Sequence, residues 1–212
     1  MKKVALLITL AFGIFSASAQ KPAYEKTMTD LVSKIQQTQF NESLQPLTNK
    51  MDRIAAAETE EWLPAYWVAY GQAMESFRKQ DSGEKDQLLE LAEKSLAKAE
   101  AISPENDEIE VLKAQIASAR LSVDPMNRFQ TYGPKFGSAL ALAEKINPTN
   151  PRVVYLKAMN AFYTPENFGG GKAIAKPLFE QAIDKYSKFE QKSVIHPSWG
   201  KMESEYFLSQ CQ

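Results

Sequence analysis

The chain has 212 residues, a formal net charge of −1 and a single cysteine, Cys211. That charge balance argues against nucleic acid as the main partner, and a lone cysteine excludes an internal disulfide framework. The length suits one domain able to bury a sizeable core.

Residues 1–19 read as a secretory signal peptide. Lys2 and Lys3 precede an apolar stretch from Val4 to Phe15, and Ala17-Ser18-Ala19 is a small-residue cleavage signature. The stretch is shorter than the roughly 20 residues that a spanning helix needs. Cleavage after Ala19 is therefore expected, giving a periplasmic or secreted protein with no membrane span.

Beyond the signal, helical periodicity dominates and no segment alternates long enough to suggest a strand. The pattern predicts a helix over about 23–38, with Met28, Leu31, Val32 and Ile35 on one stripe. A second runs to about Glu58, with Pro46 in its first turn. These two form an N-terminal pair, residues 20–61. A third helix spans about Leu63 to Lys79, and a fourth follows Asp81-Ser82-Gly83 and runs to Ala101. A fifth starts after Ser103-Pro104-Glu105-Asn106 and ends near Leu121. Asp124-Pro125 through Gly133-Pro134 reads as a long connection. Helices over about 135–145, 152–163 and 172–189 follow, and His196-Pro197-Ser198 opens a last one ending near Cys211.

A block of small and bulky residues recurs along residues 62–212. Ala92, Leu96, Ala99 and Pro104 reappear 44 positions on as Phe136, Leu140, Ala143 and Pro148. Ala175, Phe179 and Ala182 form a third copy, 39 further along. Gly71, Ala114 and Ala158 keep step on the upstream helices. Two landmarks drifting together imply a repeated helix pair and hence a solenoid.

The block resembles the tetratricopeptide repeat (TPR), whose first helix carries the spacing seen in Trp67, Tyr70, Gly71 and Met74. That resemblance implies an all-α, right-handed helical-hairpin solenoid of about three to four TPR-like units with a C-terminal capping helix. It departs from the family in unit length, which is about 34 residues there. The additions fall between paired helices, at 80–86, 123–134 and 164–172. By the family's geometry the groove is lined by Gln72, Glu75, Gln115, Arg152, Tyr155, Met159, Phe162 and Tyr163. The competing expectation is that the final helix folds over the third unit's aromatics and makes them core.

Other candidates have plainer explanations. Phe168-Gly169-Gly170-Gly171-Lys172 lacks the first glycine and the hydroxyl of a phosphate loop and reads as a flexible connection. His196 is the only histidine, too little for a zinc site or a marked triad. Asp107-Glu108 and Glu60-Glu61 fall at helix starts, where carboxylates offset the dipole. No catalytic group, metal site or cofactor is expected. The reading is a non-catalytic scaffold or adaptor of the cell envelope that binds another protein or peptide. The alternative is a helical module for a small molecule or glycan.

Overall fold

The computed structural model describes residues 6–212, with side chains from Pro22 onward. The signal-peptide reading therefore falls on residues whose side chains lie outside those described. Nine α-helices follow in order: α1 (Leu6–Gln37), α2 (Gln45–Ala57), α3 (Trp62–Ser76), α4 (Ser82–Ile102), α5 (Asp107–Val123), α6 (Pro125–Ile146), α7 (Pro151–Tyr163), α8 (Lys172–Lys188) and α9 (Lys201–Ser209). There is no strand among the described residues.

The helices start where the sequence supplies caps. Asp81 accepts from the Glu84 amide at 2.9 Å, Asn106 from Glu108 at 3.0 Å and Asn150 from Arg152 at 3.0 Å. Each satisfies an amide that the first turn leaves unpaired. Pro151 sits at the head of α7, where a missing N–H costs little.

The chain folds as a helical-hairpin solenoid. α3 pairs with α4, α5 with α6 and α7 with α8, while α5 also touches both α3 and α7. Ala92, Ala99, Ala114, Ala143, Ala158 and Ala182 are all completely buried. With no bulk beyond Cβ, they let helices approach closely, while Leu96, Leu140 and Phe179 fill the space between. At Gly71 the approach is tighter still, since a Cβ there would lie 2.4 Å from the Thr48 hydroxyl of α2. α3 is largely apolar and almost wholly buried, including Tyr66 and Trp67. Pro104 and Pro148 serve the turns, where both stay exposed.

One boundary differs from expectation. Residues 125–134 are not a connection but the first half of α6, which runs 22 residues. Asp124 caps it, accepting from Asn127, and Pro125 fits the first turn. Arg128 then ties it to α4, with Nη2 2.6 Å from Asp86 Oδ2. Pro134 removes one helical hydrogen bond, but its ring points to solvent and the helix continues. The last helix is also shorter than expected: residues 189–200 lie across the fold outside any helix.

Candidate ligand site

The face expected to form the groove is filled by the chain itself. The 189–200 segment is fastened there by the indole of Trp67, which donates to the Ile195 carbonyl at 2.8 Å. Trp199 donates to the Tyr66 hydroxyl at 2.9 Å, and Gln36 donates to Ser198 Oγ at 2.6 Å. The Trp199 ring packs on Tyr70 and Tyr155, with centroids 5.4 and 6.1 Å away.

This corrects most of the expected groove residues. Tyr155 is 7% exposed, and burial pushes its hydroxyl well above the usual phenol range. Glu75 is buried because it caps α2, accepting from the Leu44 amide at 2.8 Å and from Ser43 at 3.0 Å. Gln115 is buried, and Gln72 is half-buried where it accepts from Ser95 of α4 at 3.1 Å. Met159 is half-buried. Phe162 is wedged between Phe207 at 5.1 Å and Phe179 at 6.3 Å. Tyr163 alone of the set stands open, at 67% exposure.

Arg152 is completely buried. Its Nε donates to Glu108 Oε2 at 2.7 Å and its Nη2 to Glu108 Oε1. Its guanidinium lies over the Phe189 ring at 4.9 Å. Burial pushes the Glu108 carboxyl up and the guanidinium pulls it down. Asn150 donates to both Asp107 at 2.8 Å and Glu108 at 3.0 Å. The acidic pair at the head of α5 is thus a lock between units and does more than offset a dipole.

The remaining sequence candidates also have structural roles. Gly171, at φ +99°, donates its amide to the Ala161 carbonyl at 2.8 Å. A Cβ on Gly170 would lie 2.2 Å from the Thr164 carbonyl. The glycine run is a tightly packed connection, where a flexible one was expected. His196 Nδ1 is 2.7 Å from Ser193 Oγ, and its ring meets Trp62 edge-on at 5.8 Å. Burial, with Lys192 nearby, lowers its pKa.

Two open hollows flank α6. The smaller, about 270 Å³, lies against α5 and α7 and is bordered by Leu121, Phe129, Gly133, Phe136 and Asn160. The larger, about 500 Å³, is a groove between α4 and α6 with α5 beneath. Leu96, Ile116, Ala117, Ala139 and Leu142 give it an apolar lining. Polar groups stand at its edges. Lys113 is held by Glu100 at 2.6 Å and Glu110 at 2.7 Å, and Glu93 is held by Arg120 at 2.9 Å. Tyr132 and Lys135 of α6 complete the edge, with the ammonium 5.0 Å from the ring centroid. Tyr132 and Lys135 lie in or beside the stretch that reads as a connection, so the sequence pattern gave no reason to single them out. Leu142 of α6 is an exposed apolar residue on the groove wall, as Met126 and Phe129 are exposed earlier on the same helix.

Fold and hollows together define an all-helical repeat protein that keeps an apolar groove open between its second helices. The chain is similar to a solved structure described as the HusA haemophore from Porphyromonas gingivalis. The two are 36% identical with a TM-score of 0.78, over 89% of this chain and 92% of that one. The chain belongs to the family of that haemophore. No protein-family model matches the chain, and neither does a curated protein.

Proposed function

We propose that the protein is a small-molecule carrier whose cargo is haem or a closely related planar tetrapyrrole. The observation that carries this reading is the 36% identity to a haemophore over nearly the whole of both chains. The groove between α4 and α6 is the site we assign to the cargo. At about 500 Å³ it falls within the roughly 300–1,000 Å³ range of small-molecule pockets, whereas the hollow of about 270 Å³ falls just below it. Leu96, Ala97, Ile116, Ala117, Ala139 and Leu142 give it an apolar floor, and charged and hydroxyl side chains ring it, the combination of apolar surface and polar groups that such sites use.

On this reading the protein holds its cargo without making or breaking covalent bonds in it. The helix pairs are TPR-like units used as a frame for a ligand. A scaffold role for a protein or peptide partner has less support, because residues 189–200 occupy the face such a partner would use. We also propose export, with cleavage after Ala19, to the periplasm or beyond. The relative is named as a haemophore, and no described helix is long and apolar enough to cross a membrane.

Titrating the full chain with hemin, followed by Soret absorbance, tests the proposal. The expected result is a saturable one-to-one change. At 100 times its dissociation constant the ligand should add about 2.7 kcal/mol to stability. Non-saturating absorbance with no gain in thermal stability would overturn it. Ala97→Trp, which adds a bulky ring at an exposed wall of the groove, should weaken binding and leave the fold intact.

A further inference from the structure

We infer that the smaller hollow, where α6 lies against α5 and α7, is a second binding site, and that it takes one neutral sugar residue at the end of a glycan chain. The inference stands apart from the tetrapyrrole reading, which concerns the other flank of α6.

Charge separates the two hollows. The α4–α6 groove is edged by Glu93, Glu100, Glu110, Lys113 and Lys135. The hollow beside α7 has no charged side chain in its lining. Its polar groups are the Ser118 hydroxyl and the Gln130 and Asn160 amides, one from each of the three helices. None of these three side chains is engaged in a hydrogen bond among the described residues. A neutral lining cannot offset the desolvation of an ion, so it selects a ligand whose polar groups are uncharged. Amides and hydroxyls both donate and accept, as the hydroxyls of a sugar do.

Phe129 supplies the apolar platform. It is 65% exposed, and its ring edge rests on Gly133, where a Cβ would lie 3.4 Å from Phe129 Cε2. Gly133 has no positive φ, so its backbone does not call for glycine, and glycine inside a helix is unfavourable. What it supplies is room. Pro134 beside it has no N–H to give the Gln130 carbonyl one turn earlier, so that acceptor lacks its helical donor. Two residues that weaken a helix thus stand together at the hollow, one making space and the other freeing an acceptor. A sugar ring offers C–H groups to an aromatic face and hydroxyls around its edge, which is the division this lining provides. The volume of about 270 Å³ is that of roughly nine waters. It admits one pyranose ring and is too small for a tetrapyrrole. The open side lets the rest of a chain leave toward solvent.

The test is an amide chemical-shift titration of the full chain with the methyl glycosides of glucose, galactose, mannose and N-acetylglucosamine. N-acetylneuraminic acid serves as the anionic control. At least one neutral glycoside should shift Ser118, Gln130, Gly133 and Asn160 saturably, with a dissociation constant on the order of millimolar, and the acid should leave them in place. Phe129→Ala should weaken that glycoside about tenfold, Asn160→Ala about fivefold, and Phe129→Trp should retain it. All three positions changed are exposed or keep their bulk, and thermal melts establish that the variants fold. Hemin affinity should be unchanged in each.

No saturable shift with any neutral glycoside, an equal response to the acid, or undiminished binding by Phe129→Ala would overturn the assignment. Shifts of the same amides on concentrating the protein alone would mark a contact between copies and overturn it too. If Phe129→Ala weakens hemin, the hollow belongs to the cargo; the sugar site is then wrong while haem binding itself survives.

Discussion

Arg152 and Glu108 stand 44 positions apart and meet in the dry interior, with Nε and Oε2 separated by 2.7 Å. That separation equals the interval between Ala99 and Ala143. The ion pair therefore joins one helix pair to the next at equivalent positions, the heads of α7 and α5. Breaking it from one side leaves a charge stranded without water. Arg152→Met or Glu108→Gln should each cost about 3–5 kcal/mol in chemical denaturation. Glu108→Leu combined with Arg152→Met should recover much of that loss, because neither charge is left buried alone. If the double variant is as unstable as the sum of the singles, the pair contributes more than mutual neutralisation.

The contact between α2 and α3 depends on Gly71. A methyl there would sit 2.4 Å from Thr48 Oγ1. Gly71→Ala should lower stability by about 1–3 kcal/mol through overpacking. Thr48→Ala should cost about 1 kcal/mol, since Thr48 Oγ1 donates to the Leu44 carbonyl at 3.0 Å. The double variant should lose less than the two singles together, because the clash needs both groups. Strict additivity in thermal melts would contradict the close approach.

These two contacts show what the sequence reveals and what it hides. Small residues recur because helix axes must come close, and Ala92, Ala99, Ala143 and Ala182 are all fully buried. The repeat and the hairpin fold were therefore legible. The first half of α6 was hidden by Pro125, Gly133 and Pro134, which act as breakers in isolation. Asp124 at the cap and the Arg128–Asp86 tie outweigh them. The groove residues were misjudged for a long-range reason. Trp199 is 133 positions from the Tyr66 that accepts its hydrogen bond, and no local pattern announces that closure. The α4–α6 groove escaped notice because its wall is drawn from three helices, with Leu96, Ile116 and Leu142 brought together only by the packing of successive helix pairs.

The Asp86 carboxylate should make the protein sensitive to acid. Hydrogen bonds from Arg128, with a smaller contribution from Arg120, hold its pKa at about 2, below the ordinary 3.8. The folded state thus binds this proton less readily than the unfolded chain. The associated stability is present above pH 3.8 and is lost as pH falls through about 2. Solvent screening limits it to on the order of 1 kcal/mol. Asp86→Asn should remove that share at neutral pH and flatten the acid limb between those values. An unchanged acid limb in urea titrations would contradict the tie between α4 and α6.

The Trp199 closure is structural and separate from the proposed cargo site. Trp199→Ala should cost about 3–5 kcal/mol and weaken the near-ultraviolet dichroism that Tyr70 and Tyr155 produce beside it. Below its lowered melting temperature, the variant should keep wild-type hemin affinity. A selective loss of hemin binding with the fold intact would move the cargo to the α3–α7 face.

The most direct measurement is amide chemical-shift mapping of the full chain with gallium protoporphyrin, a diamagnetic stand-in for ferric haem. A tetrapyrrole in the α4–α6 groove should shift the amides of Ala97, Ile116, Tyr132, Ala139 and Leu142 and leave those near Trp199 unmoved. Shifts confined to another surface, or none at saturating ligand, would contradict the account.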